Sequence, residues 1–304
     1  MEFTNGEDKT LEYGIIISDK IKNYQERIST SLADRYVLSF SKEIQELKKI
    51  IISGNLTFIV LMLIHNRIID KSQNMQDLRL FVSKVAKHDY PVLLSGKIGL
   101  RKSAVAKLIH DISKRSAENF IKIDMGAIPD NLAESILFGT SKIDTTRPFN
   151  YGLIDSANKG TLFLNEIDKT SLCLQGKLLQ LLETKRVRKV GKIIENSINF
   201  RLICASNFSL KDMVREGKFR QELYYKLSVQ SFYLWELDKR KEDISLLTEY
   251  YCKKNNFKIT EHAISKLILH NWEGNIRELF NILDRSFIEA QALRIVYPED
   301  IHFD

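Results

Sequence analysis

SGKIGLRKS, residues 95–103, nearly matches the phosphate-binding loop pattern G-x-x-x-x-G-K-[ST]. The apolar run YPVLLSG at 90–96 predicts a strand before it, and SAVAKLIHDISKR at 103–115 has the spacing of a helix. A strand, a glycine-containing loop and a helix N-terminus are the context in which such a loop binds phosphate. The stretch is therefore a candidate phosphate site.

One residue of the loop departs from the pattern. Gly96, Gly99, Lys102 and Ser103 stand at suitable positions, but Arg101 replaces the second glycine. Its side chain enters where the backbone should approach phosphate closely, at a backbone angle expected to be unfavourable for any Cβ. Taken alone, the stretch fits a damaged phosphate site and a plain strand–turn–helix equally well.

Further apolar runs predict an α/β fold. Short strands alternate with helical segments, and this alternation is typical of a parallel sheet covered on both faces. The predicted strands are FIKIDMG at 120–126, GTLFLNEID at 160–168, NFRLICASN at 199–207 and QSFYLWEL at 230–237.

The periodicity divides the chain into three parts. Residues 1–66 are predicted to form a small, mostly helical unit of unknown role, and residues 67–237 form the α/β nucleotide-binding core. From 238 to 304 the pattern is helical only, which predicts a lid of about three helices.

The composition is that of a soluble globular protein, with 44% hydrophobic and 28% charged residues. The net charge of +7 is too weak to indicate nucleic acid by itself. Cys173, Cys204 and Cys252 form no C-x-x-C pair, and the N-terminus is no signal peptide, so a reducing, cytoplasmic location is expected. The apolar run LTFIVLMLI at 56–64 has nine residues and is too short to span a bilayer, so no membrane association is expected.

The run GTLFLNEID predicts a buried strand that delivers Asn165 and Glu166 to the sheet edge where open α/β sheets bind ligands. In nucleotide hydrolases, a first acidic position orients the Mg²⁺ shell and a second polarises the attacking water. Glu166 fits the second role, whereas Asn165 brings no charge. A unit charge about 4 Å from its partner is worth roughly 4 kcal/mol at an effective dielectric of about 20, so Asn165 predicts weakened metal binding.

Six segments of the chain resemble, in sequence and in order, the central domain of the sigma-54-dependent bacterial transcription activators. These activators are AAA+ P-loop NTPases. The resemblance runs from about Met75 to Ala290. The segments that carry it are SGKIGLRKS, GAIPDNLAESILFG, GTLFLNEID, RLICASN, GKFRQELYYKLSV and NWEGNIREL.

The resemblance implies a homo-oligomeric ring with ATP and Mg²⁺ between subunits, whose hydrolysis drives loops that remodel RNA polymerase holoenzyme carrying sigma-54. Carried over position by position, Lys102 and Ser103 would contact phosphate and Mg²⁺. Glu166 would be the catalytic acid, Asn207 the sensor of the γ-phosphate, and Arg277 would reach the nucleotide from the lid.

Three further positions concern the subunit boundary and the control of the catalytic acid. Arg220 matches one arginine that a neighbouring subunit supplies in trans, and Lys226 falls where the other is expected. Lysine lacks the planar fork that braces a transferring phosphoryl group. Asp124 stands where the family commonly has an asparagine that acts as a switch on the catalytic glutamate.

The largest departure from the family lies in the loop after the GAIPDNLAESILFG segment. The family has a sigma-contacting G-A-F-T-G-A loop there, whereas residues 140–151 read TSKIDTTRPFNY, with no glycine and no F-T pair. This difference counts against the usual contact with sigma-54. The sequence also shows no helix-turn-helix after the lid, so DNA binding is not expected.

Two functions are compatible with these residues. The first is a divergent sigma-54-interaction-type AAA+ domain that binds ATP and regulates transcription, with hydrolysis weak or lost because of Arg101, Asn165 and Lys226. The alternative is a non-enzymatic module for assembly or regulation that has the AAA+ fold and no longer binds ATP or sigma-54.

Overall fold

Short apolar runs form most strands of the central sheet in the structure, which is a computed structural model. It describes residues 71–140, 152–188, 190–191 and 195–303. The predicted unit at 1–66 and nearly all of the loop at 140–151 lie outside these residues. In the described part of the chain the strands are β1 Val92–Ser95, β2 Phe120–Asp124, β3 Thr161–Asn165, β4 Arg186–Arg188, β5 Glu195–Ser197, β6 Arg201–Ser206, β7 Gln230–Tyr233, β8 Lys258–Ile259 and β9 Ile295–Val296.

Five of these strands form one parallel sheet in the order β2-β3-β6-β1-β7. The predicted parallel α/β fold is therefore confirmed. The carboxyl ends of β3, β6 and β1 are neighbours in this order, so the residues that follow them meet at one edge of the sheet. This edge is where open α/β sheets bind ligands.

Helices cover the sheet and form the lid. Their bounds in the described residues are α1 Gln73–Val85, α2 Lys102–Asp111, α3 Asp130–Phe138, α4 Leu172–Thr184, α5 Leu210–Arg215, α6 Gln221–Leu227, α7 Glu242–Lys254, α8 Glu261–Leu269 and α9 Asn275–Glu289.

Complete burial of the central strands explains why their sequences are continuous apolar runs. Leu94 on β1, Phe163 on β3 and Ile203 on β6 are all fully buried. Because helices pack on both faces of a parallel sheet, consecutive strand residues are buried instead of alternating with polar ones. These strands are therefore rigid supports for the residues at their ends.

The helices α7–α9 form a lid with its own hydrophobic core, as predicted. Trp272 is 1% exposed and donates its indole N–H to Leu267 O at 3.0 Å, so its polar atom is paired within the apolar cluster. Strands β8 and β9 pair in parallel, so the segment between α7 and α8 is hydrogen-bonded to the segment that follows α9.

A buried ion pair joins the lid to the start of α1. Arg240 and Asp243 are 1% and 0% exposed, with 3.2 Å between Arg240 Nη1 and Asp243 Oδ2. The same carboxylate accepts from the backbone N–H groups of Lys71 and Ser72, at 2.6 and 2.8 Å, and from the Ser72 hydroxyl at 2.6 Å. Four donors therefore converge on one fully buried carboxylate.

Strands β4 and β5 form an antiparallel hairpin that carries part of a basic cluster at 185–192. Arg186 and Arg188 are exposed, and Arg186 lies 3.9 Å from the Glu195 carboxylate. In the described residues no helix is long and apolar enough to cross a membrane.

Candidate nucleotide site

The loop between β1 and α2 has the backbone of a phosphate-binding loop. Gly96 and Gly99 have φ values of +146° and +84°. A Cβ on Gly96 would lie 2.7 Å from Leu234 O, and a Cβ on Gly99 would collide with Gly274 O at the start of the lid helix α9. Both positions therefore require glycine, and the loop lies close to the lid.

Arg101 caps α2 in the left-handed region, with φ +58° and ψ +34°. This is the unfavourable angle expected from the sequence, and it costs a residue with a Cβ roughly 1–2 kcal/mol. The side chain leaves the loop and reaches the lid, where its Cζ lies 5.2 Å from the centroid of the Phe280 ring, within cation–π distance. The arginine therefore strains the loop, and its guanidinium lies against the lid.

A cleft of about 330 Å³ lies beside Arg101. Its walls come from α1, α2, α7 and α9 and are mainly apolar, and they include Leu78, Leu247 and Phe280 together with Arg101 itself. An apolar cleft next to a glycine loop can receive a flat ring while the loop binds attached phosphates.

Lys102 is the buried cation of the loop, with 6% of the residue exposed. Its Nζ donates to Gly96 O at 2.5 Å, to Lys97 O at 2.8 Å and to Asn207 Oδ1 at 2.8 Å. Burial lowers the Lys102 pKa to about 8, although the nearby carboxylates of Asp168 and Glu166 favour the charged form. The site therefore holds a cation that its surroundings only partly stabilise.

This shifted pKa predicts a pH-dependent stability. Between about pH 8 and the ordinary lysine pKa near 10.5, the unfolded chain retains a proton that folded Lys102 has lost. The free energy of unfolding should therefore rise with pH across this window because of Lys102. Urea denaturation at pH 7.5 and 9.5 tests this, with Lys102→Met as the reference. The free energy of unfolding of wild type, relative to that of the variant, should be higher at pH 9.5 than at pH 7.5. An unchanged difference would contradict the lowered pKa of Lys102.

Glu166 and Asn207 meet where β3 and β6 end. Glu166 leaves β3 with φ +56°, and its Oε1 accepts from Asn207 Nδ2 at 3.3 Å. Because Asn207 Oδ1 accepts from Lys102, one amide connects the cation of the loop with the predicted catalytic carboxylate. The structure thus brings together three residues that the sequence places in separate motifs.

Asp168, which sequence reasoning did not single out, holds this edge in place. It is 6% exposed, and its Oδ1 accepts from the Ser206 hydroxyl and the Asn207 N–H, both at 2.9 Å. Its carboxylate is also the largest favourable charge acting on Lys102. The available signal was an acidic residue at the end of GTLFLNEID, directly after the apolar strand.

Asn165 and Asp124 are opposite each other at the ends of β3 and β2. Asn165 Nδ2 donates to Asp124 Oδ2 at 3.3 Å. Asp124 Oδ1 is buried and has no hydrogen-bond partner among the described residues. Just beyond, a Cβ on Gly126 would collide with Glu166 Oε2, so the carboxylate of Glu166 lies against the segment that follows β2.

Asn275, also missed from the sequence, connects the loop to the lid. It is 1% exposed, its Nδ2 donates to Ile98 O at 3.0 Å, and its Oδ1 accepts from Leu237 N at 2.8 Å. Its φ of +56° is a conformation that asparagine tolerates better than most residues. The only signal in the sequence was its position after Gly274, at the start of the lid helix.

The remaining predicted residues lie in two places. Ser103 is half-buried in the first turn of α2, and Arg277 is exposed on α9, close enough for its charge to lower the pKa of Lys102. Arg220 donates from Nε to Leu172 O at 3.1 Å, and Lys226 is exposed on α6. Arg220 and Lys226 thus lie on the α4–α6 side of the core, and their action on a neighbouring subunit stays a prediction.

Family models match most of the described chain. The sigma-54 interaction domain matches residues 68–233, and the AAA+ ATPase lid domain matches residues 238–303.

Curated relatives include the "Uncharacterized protein in HyuA 5'region" of Pseudomonas sp. (strain NS671), 38% identical over 237 residues, which are 75% of this chain and 80% of that protein. The anaerobic nitric oxide reductase transcription regulator NorR of Aliivibrio fischeri is 36% identical over 75% of this chain and 46% of its own length. The regulatory protein AtoC of Escherichia coli is 37% identical over 77% and 52%. This chain therefore spans about half the length of NorR and AtoC.

Among solved structures, NtrX from Brucella abortus in complex with ADP has a TM-score of 0.71 and 26% sequence identity. The match covers 90% of this chain and 63% of NtrX. A structure of the same protein in complex with ATP matches with the same TM-score and identity.

Proposed function

The chain belongs to the sigma-54 interaction domain family of transcription regulators, with the AAA+ lid, and from this membership we propose that it binds ATP and hydrolyses it weakly or not at all. Sigma-54-dependent regulation of transcription is the process in which this binding would be used. The domain boundaries at 66/67 and 237/238 are part of the same proposal.

The state of Lys102 is the observation that carries this proposal. A buried ammonium with a lowered pKa is a charge that lacks a full counter-charge. Phosphate at the glycine loop would supply that charge, and the first N–H groups of α2 would donate to the same oxygens. Since the Arg101 side chain leaves the loop for Phe280, it leaves room there for the phosphates. The ADP and ATP complexes of NtrX support this proposal.

The other residues fit a nucleotide with its metal ion. When bound, Mg²⁺ would neutralise charge on the phosphates. Ser103 and Asp124, whose buried Oδ1 has no hydrogen-bond partner among the described residues, would supply oxygens to hold its shell. Glu166 would orient water, held in place by the Asn207 amide, and Arg277 would approach from the lid.

Several features favour weak turnover. Asn165 brings no charge to the metal-orienting position. At the subunit boundary Arg220 is available, but Lys226 replaces the second arginine and lacks its bidentate fork. We propose a homo-oligomeric ring in which Arg220 acts on the neighbouring site. The sigma-54 holoenzyme is the proposed partner, and the altered loop at 140–151 weighs against the family's usual contact.

A thermal-shift titration with Mg·ATP tests binding. At a hundred times Kd a ligand adds about 2.7 kcal/mol to the unfolding free energy, and a domain of this size should gain about 5–10 °C in Tm. ADP serves as a second ligand and Mg²⁺ alone as the control.

The possible outcomes separate the two functions. A shift with ATP, together with phosphate release far below about 1 s⁻¹, agrees with the proposal. No shift at millimolar ATP would favour the non-enzymatic module. Turnover at ordinary enzyme rates would instead overturn the claim that hydrolysis is weak.

A further inference from the structure

The carboxyl ends of β2 and β3 carry one carboxylate and one carboxamide. We propose that Asp124 on β2 is the residue that orients the Mg²⁺ of bound nucleotide, in place of the uncharged Asn165 on β3. This assignment rests on the proposed binding of ATP. It gives the site a metal-orienting charge that the sequence motif lacks.

Strand register places the two side chains next to each other at one edge of the sheet. Asp124 and Asn165 are partners in the parallel β2–β3 ladder. Adjacent strands are about 4.8 Å apart, and paired residues point to the same face of the sheet. The carboxylate of Asp124 therefore lies one strand spacing away from position 165, where nucleotide hydrolases have their metal-orienting acid. A water molecule of the Mg²⁺ shell can bridge that distance, and Mg²⁺ usually keeps several of its waters.

The hydrogen bonds of the pair assign different tasks to the two residues. Asn165 uses its Nδ2 to donate to Asp124 Oδ2 at 3.3 Å. This bond fixes the orientation of the carboxylate and leaves Asp124 Oδ1 buried without a partner in the described residues. A buried carboxylate oxygen without a donor is costly, and a water molecule of a hydrated Mg²⁺ would supply that donor.

The nearby carboxylates are less suited to this task. Glu166 Oε1 accepts from Asn207, and its other oxygen lies against Gly126. Asp168 retains one unpartnered oxygen, but its Oδ1 accepts from Ser206 and Asn207 on the β6 side, and its charge acts on Lys102. Asp124 is the acidic side chain paired directly with the position that orients Mg²⁺ in nucleotide hydrolases.

The test measures how strongly Mg²⁺ promotes ATP binding. ATP affinity is determined by calorimetry in EDTA and at millimolar Mg²⁺ for wild type, Asp124→Asn, Asp124→Glu and the exchange variant Asp124→Asn/Asn165→Asp. Asp130→Asn is the control, since it removes the same charge from an exposed carboxylate at the start of α3. Thermal melts establish that each variant is folded.

We expect Asp124→Asn to reduce the Mg²⁺-dependent gain in ATP affinity at least tenfold and to leave the affinity in EDTA within about threefold. The exchange variant should recover most of the gain, Asp124→Glu should retain part of it, and Asp130→Asn should match wild type. If Asp124→Asn were unstable, loss of the gain in Asp124→Ser would serve in its place.

Two results would overturn the assignment, and they are distinguishable. If wild type binds ATP but Asp124→Asn retains the full Mg²⁺ effect, Asp124 serves only as an acceptor for Asn165. If wild type binds no ATP with or without Mg²⁺, the proposed function fails and this assignment fails with it. Mn²⁺ in place of Mg²⁺, followed by electron paramagnetic resonance, gives a readout independent of affinity: Asp124→Asn should change the spectrum of the bound ion, and Asp130→Asn should not.

Discussion

Asp243→Ala is expected to lower the free energy of unfolding by about 3–5 kcal/mol, which corresponds to roughly 10 °C in Tm. The fully buried carboxylate accepts from Lys71, Ser72 and Arg240. Its removal leaves the Arg240 guanidinium, 1% exposed, without its counter-charge. An uncompensated buried charge costs much more than the ion pair contributes, so this loss should exceed that of an ordinary polar substitution. Urea denaturation of wild type and variant measures it.

Two further variants test whether the effect is specific to the buried Arg240–Asp243 pair. Glu242→Ala removes the exposed neighbouring carboxylate and should change stability by less than about 0.5 kcal/mol. Arg240→Met combined with Asp243→Leu removes both charges and should recover part of the loss, because neither partner is then left alone. If Asp243→Ala were as mild as Glu242→Ala, the buried pair would not be what joins the lid to α1.

The sheet was predictable because its central strands β1, β3 and β6 are buried on both faces. GTLFLNEID becomes β3 Thr161–Asn165, and NFRLICASN becomes β6 Arg201–Ser206. Continuous apolar runs between polar ends are typical of such strands, and their carboxyl ends meet at one edge. The proximity of Glu166 and Asn207 follows from this rule.

What sequence reasoning missed depends on contacts between distant positions. Asn275 donates to Ile98 O across 177 positions, and Asp168 accepts from Asn207 across 39. Local propensity says nothing about which strand ends or helix ends such a side chain will reach. Asp124 shows the same limit: its residue type is visible in the sequence, but its partner Asn165 follows only from the β2–β3 register.

Arg101 has one feature that was predictable from the sequence and one that was not. Its unfavourable backbone angle was expected from the position that a glycine usually occupies, and the structure has φ +58° there. The path of the side chain to Phe280 depends on how the lid packs over the loop, which the motif does not contain. The same residue therefore costs backbone strain and contributes a contact between the core and the lid.

Lys102→Met is expected to abolish the stabilisation by Mg·ATP without weakening the free protein. The Lys102 pKa of about 8 means that folding disfavours the charged ammonium by an amount on the order of 3 kcal/mol at neutral pH. An apolar side chain of similar length removes this cost but leaves Gly96 O, Lys97 O and Asn207 Oδ1 without their donor, so the free variant should melt close to the wild-type temperature. It also removes the charge that phosphate would contact, so ATP affinity should fall at least a hundredfold.

Lys97→Met is the matched control, since it removes the same charge from a side chain of the same loop that is 65% exposed. Because water screens an exposed charge, its effect on ATP affinity should stay within about threefold. Equal losses in the two variants would mean that the net charge of the loop, and not the buried ammonium, binds the nucleotide. If the Lys102→Met protein were unstable without ligand, the lysine would instead be needed for the stability of the fold. The expected combination, a stable free protein that ATP no longer stabilises, occurs only if Lys102 is kept in the core for its ligand.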